Sequence, residues 1–198
     1  RPGPRAERPP RSRPEGRARV ELSTGIALGA TGGVGPAIAP RAGALFDVEL
    51  APGESASGVA LQLAPSLRAA ADVAATSSDL ASGAQHYLWI GGTLGACPAR
   101  LALGARVRLA PCAAVQAGAH AGRTTQVANR TSSVDPWVAP LAGLRLEWAL
   151  SASVSLELQG DVVFPLLRTR FFLAPSTTIF EIPGITGVGS AAARWHFR

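Results

Sequence analysis

The chain has 198 residues, 47% of them hydrophobic and 16% charged, with a formal charge of +6. That length allows one ordinary domain, and no apolar run approaches the roughly 20 residues of a membrane helix, which excludes a helical spanning protein. Nucleic acid is excluded as the natural partner by where the charge lies: residues 1–19 hold seven Arg against Glu7 and Glu15, the rest is nearly balanced, and no helix, finger or aromatic–basic platform accompanies it.

Residues 1–18 (RPGPRAERPPRSRPEGRA) have no apolar periodicity and are expected to be a disordered basic linker. The chain carries no Met and no leader, as expected of a processed or excised chain. From Arg19 onward the apolar residues recur every second position. Val20, Leu22, Thr24, Ile26 and Leu28 alternate with Arg19, Glu21, Ser23 and Gly25, which is a strand over 19–32. A second strand over 40–51 sets Ala42, Ala44, Phe46, Val48 and Leu50 against Asp47 and Glu49. A third over 56–72 follows the turn at 52–55. A polar loop near 73–83 then leads to a fourth strand, 84–96, in which the faces of Tyr87, Leu88, Trp89 and Ile90 are not separable.

The fifth strand, 106–121, sets Val107, Leu109 and Val115 against Arg106, Arg108, Gln116 and His120. After a loop over 122–136, residues 137–150 place Leu144, Leu146 and Trp148 opposite Arg145 and Glu147. Residues 154–171 oppose Val154, Leu156, Leu158, Val162 and Phe164 to Ser155, Glu157, Gln159 and Asp161. The last strand, 185–198, alternates Ile185, Gly187, Gly189, Ala191, Ala193, Trp195 and Phe197 with a more polar face that ends in Arg194 and His196. Eight strands, mostly longer than the usual 5–6 residues, suit a tilted membrane crossing. Long connections near 33–39, 73–83, 122–136 and 172–184 alternate with shorter ones near 52–55, 97–105 and 151–153. An even-numbered antiparallel up-and-down barrel with both termini on one side requires that alternation.

On this pattern, 19–198 resembles the small eight-stranded outer-membrane β-barrels of Gram-negative bacteria, the OmpA/OmpX-like type. The resemblance implies outer-membrane lipid and the barrel-assembly machinery as partners, with periplasmic N- and C-termini. Trp195 and Phe197 look like the terminal aromatic signal that this machinery reads, displaced by one position because Arg198 follows. Residues 1–18 would then reach toward cell-wall polymer or an upstream periplasmic domain. No cofactor is implied.

A barrel of eight strands is just wide enough to be filled by side chains. Arg19, Glu21, Asp47, Glu49, Arg68, Asp72, Arg106, Arg108, Arg145, Glu147, Glu157, Asp161 and Arg194 fall on the inward parity and form a nearly neutral set, so a plugged interior is expected. Cys97 and Cys112 bracket a turn and form either a disulfide, in an oxidising compartment, or two buried thiols. Trp137, Trp195 and Phe197, near strand ends, are expected at the membrane interface. His86 and His120 are expected at the outer rim, and His196 inside.

Three further readings stay open. His120 with Ser77, Ser78, Ser82 or Asp79 would make a lipid-modifying enzyme if a hydroxyl, a base and an acid came within reach. A soluble barrel with inverted faces would be a ligand carrier, and an unfilled lumen a narrow channel. Asn129-Arg130-Thr131 matches the glycosylation triplet by pattern alone, and the glycines at 29–33 lack the lysine and helix of a phosphate loop.

Overall fold

Alternating sequence becomes extended backbone almost throughout the computed structural model, which describes residues 18–51, 58–80, 83–124, 132–173 and 177–197. The expected linker over 1–18 lies outside the described residues except for Ala18, as do the turn at 52–55, Ser82 and the triplet Asn129–Thr131. The strand segments are β1 Arg19–Thr31, β2 Ala39–Ala51, β3 Val59–Gln62, β4 Ser66–Leu80, β5 Gly83–Cys97, β6 Arg100–Leu103, β7 Val107–Thr124, β8 Ser132–Ala149, β9 Val154–Val163, β10 Arg170–Leu173, β11 Thr177–Glu181 and β12 Thr186–Phe197.

β3 and β6 are continuations rather than extra strands. β3 pairs with β6 as β4 pairs with β5, and β6 runs on beside β7. The barrel order is therefore β1, β2, β3/β4, β5/β6, β7, β8, β9 and β12, all antiparallel, with β12 returning to β1. Closure pairs every strand on both sides, which removes the unpaired edge that lipid cannot solvate.

Two expected boundaries change for one reason. Most of the polar stretch 73–83 is strand, since β4 runs to Leu80 and β5 starts at Gly83. Likewise β7 reaches Thr124 and β8 begins at Ser132, inside the expected loop 122–136. Beyond the hydrocarbon core a strand's outer side faces headgroups and water, so Thr76, Ser77, Ser78 and Asp79 need no apolar alternation. The connections at one end are thus 32–38, 81–82, 125–131 and 164–185; those at the other are 52–58, 104–106 and 150–153. The strand expected over 154–171 stops at Val163. Pro165 has no N–H to donate, although the flanking Phe164 and Leu166 amides still bond the carbonyls of Pro140 and Val138.

The tight turn at 104–106 depends on Gly104, whose φ of 84° is unfavourable for other residues. Near the same end Cys97 and Cys112 form a disulfide across β5 and β7. Closing a loop of separation 15 stabilises by about 3 kcal/mol in the chain-entropy estimate. The Cys97→Ser/Cys112→Ser double variant is expected to lose up to that much unfolding free energy, read as a lower urea midpoint, with wild type shifting equally on reduction. An unshifted midpoint would mean that the β ladder alone holds this end.

Candidate functional site

The outer wall and the lumen have opposite chemistry. Leu28, Ile26, Leu94, Leu158 and Trp148 point outward and are mostly exposed, whereas Asp47, Arg194, Glu157 and Arg145 are almost fully buried inside. Buried charge is tolerable only when paired and hydrogen-bonded, and here it is. Arg68 donates from Nε and Nη2 to the Asp47 carboxylate at 2.9–3.1 Å. It also donates to both Glu157 oxygens at 2.6 Å and to Gln159 at 2.6 Å. Arg194 donates to Glu147 at 2.8 Å, to Glu157 at 3.2 Å and to the Ser23 hydroxyl at 2.6 Å. Arg145 adds a bond to Asp47 at 3.2 Å, Arg100 pairs with Glu49, and Arg108 approaches Glu147 at 3.7 Å. His196 bonds the Ser155 hydroxyl at 2.8 Å.

Above this knot Arg41 pairs with Asp72 at 2.6 Å, and Asp161 accepts two bonds from the Gln159 amide. Between them lies a cavity of about 50 Å³ lined by Arg41, Asp72, Thr93, Gln159, Asp161 and Ser190. That is room for about one or two waters in a polar setting. It is not a passage.

The next level is aromatic. Tyr87, Trp89, His120 and Trp137 are buried in the lumen, and Phe171 and Phe180, from the 164–185 connection, fold down onto them. Phe171 lies edge-on to Tyr87 at 5.5 Å and to His120 at 5.1 Å between ring centroids. A Cβ on Gly122 would stand 2.6 Å from Phe171 Cε1, so only glycine leaves room for the ring there. His120 Nε2 lies 2.5 Å from the carbonyl oxygen of Val34, which ties the 32–38 connection to the same lid. The lumen is closed twice: by ions at the end with the short turns, and by rings at the other.

Of the inward set, Asp47, Glu49, Arg68, Asp72, Arg108, Arg145, Glu147, Glu157 and Arg194 take part in ion pairs. Glu21 is half-buried at the rim, and Asp161 meets Gln159. Two assignments are corrected. Arg19 is the first residue of β1 and projects past the rim, and Arg106 sits in the turn, so both are exposed. Trp137 is also corrected: it is 3% exposed inside the barrel and donates its Nε1–H to Gln116. Trp195 and Phe197 do face outward. Arg41 and Arg100 were missed. Arg41 shares the parity of Asp47, which was a usable signal. Arg100 was not readable, because five residue steps from Ala96 to Leu101 oppose four from Ala113 to Leu109, and that bulge in its own strand turns Arg100 inward.

No family model matches the sequence, and no curated protein matches it. Solved structures do match in shape. A major outer membrane protein from Thermus thermophilus superposes with a TM-score of 0.61 at 13% identity, over 90% of this chain and 100% of that one. Ail, the attachment invasion locus protein of Yersinia pestis, solved with the heparin analogue sucrose octasulfate, gives 0.50 at 10% identity, over 91% and 99%. The fold is that of the small eight-stranded outer-membrane β-barrels. For such a barrel the apolar wall is the lipid-facing surface and the lumen is the protected one.

Proposed function

We propose that this outer-membrane-type barrel is a closed, non-conducting anchor of the bacterial outer membrane that presents its longer connections at the outer surface. The observation that carries this reading is the double closure of the lumen, with an Arg68–Asp47–Glu157–Arg194 knot at one level and a Phe171–Tyr87–His120 lid at the other. Both termini then lie in the periplasm. There residues 1–18 would meet cell-wall polymer or an upstream domain, and Trp195 and Phe197 face outward where the assembly machinery would read them. The role is structural rather than catalytic. In support, His120 Nε2 is engaged by Val34, and among the described residues no serine hydroxyl is bonded to the ring.

Reconstitution of the refolded full chain in a planar lipid bilayer tests this reading. No single-channel steps are expected over either voltage polarity. Regular, ohmic steps would replace the anchor with a narrow channel.

A further inference from the structure

Charge is almost absent from the outward wall. Among the described barrel-strand residues with outward parity, Asp79, His86 and Arg123 alone carry ionisable side chains, and all three are exposed on the hairpins that rise highest. The register aligns them. Ser77 pairs with His86, His86 with Arg123, and Arg123 with Ser132, which makes one unbroken row across β4, β5, β7 and β8. Directly beneath run Ala75, Leu88, Ala121 and Val134, and beneath those Val73, Ile90, Ala119 and Pro136. A basic and hydroxylic row therefore stands on an apolar wall four strands wide.

Its height is also defined. Trp148, outward-facing, is the cross-strand partner of Val107, and Arg123 lies sixteen residues further along β7. At about 3.3 Å per residue and about 40° of tilt, that is about 40 Å along the membrane normal. With Trp148 at one interface, Arg123 reaches the opposite headgroup layer of a bilayer about 40–45 Å thick overall.

We propose that Ser77, His86, Arg123 and Ser132 form a binding site for the phosphate headgroup of an outer-leaflet lipid, whose acyl chains lie against Leu88, Ile90 and Val134. Arg123 supplies the guanidinium fork suited to phosphate. Ser77 and Ser132 add hydroxyl donors on either side, and His86 adds an imidazole N–H. Asp79, one outward position above Ser77, disfavours a second anion there and confines the headgroup to the row below. The inference rests on the membrane reading above.

The test is titration of the refolded full chain in neutral detergent with phosphatidic acid, followed by native mass spectrometry. Phosphatidylcholine and inorganic phosphate serve as comparison probes. Wild type is expected to retain one phosphatidic acid saturably, Arg123→Gln to bind it roughly fivefold more weakly, and Arg123→Lys to recover part of the loss. Arg170→Gln, an exposed cation on the lid hairpin, should bind as wild type does. Equal affinity in wild type and Arg123→Gln would overturn the proposal, and so would competition by free phosphate, which would mark a soluble-anion site. Failure of the wild-type chain to give a heat-modifiable folded band would instead sink the barrel reading itself, so the two failures are distinguishable.

Discussion

Replacing Arg68 with Met is expected to lower the unfolding free energy of the barrel by about 3–5 kcal/mol. The side chain joins two carboxylates that have little contact with solvent, since Asp47 is 1% and Glu157 2% exposed. Met fills much of the volume but leaves six short donor contacts unmade, five of them to these carboxylates. Arg145 and Arg194 already approach the same two acids, so one cation cannot simply be substituted by its neighbours. The measurement is the urea midpoint of the heat-modifiable band in lipid vesicles. A loss below about 1 kcal/mol, the value of an exposed pair, would mean that water reaches the knot and that the lumen is not sealed there. The paired change Arg68→Met with Glu157→Leu should cost less than the sum of its parts, because each single change strands a charge that the other removes.

The same knot explains how much of this architecture was legible beforehand. A period of two is imposed by lipid on one side and a filled lumen on the other, so Asp47, Glu49, Arg145, Glu147, Glu157 and Arg194 could be assigned to the interior from parity alone. Parity fails where one of its two causes is missing. Above the hydrocarbon core no acyl chain demands apolar residues, and Thr76–Asp79 read as a loop although they are strand. At the bulge near Pro98 the backbone slips by a residue, so Arg100 points inward against its apparent phase. At a strand terminus parity continues but the lumen does not, which is why Arg19 shares the phase of Glu21 yet is exposed. The aromatic lid was the least legible part. It depends on Phe171 and Phe180, from a connection with no periodicity of its own, folding back over Gly122.

Aromatic residues carry the sharpest contrast between pattern and packing. Trp137→Ala is expected to cost about 3–5 kcal/mol, the usual range for truncating a buried large side chain. Its indole is 3% exposed, stands edge-on to Trp89 at 6.5 Å and to His120 at 6.2 Å, and donates to Gln116 at 2.9 Å. Truncation removes the contact area and also leaves the Gln116 carbonyl without its donor in a buried setting. Trp195→Ala, on the outward face where Trp195 is 41% exposed, should cost only a fraction of that, because lipid and headgroups refill the space. Both variants can be read by the same urea titration in vesicles. A Trp137 loss no larger than that of Trp195 would place the indole at the lipid surface and leave the outer closure without its floor. A large loss at Trp137 together with unchanged bilayer conductance would show the two closures acting in series, since the ionic knot still seals the lumen when the aromatic level is weakened.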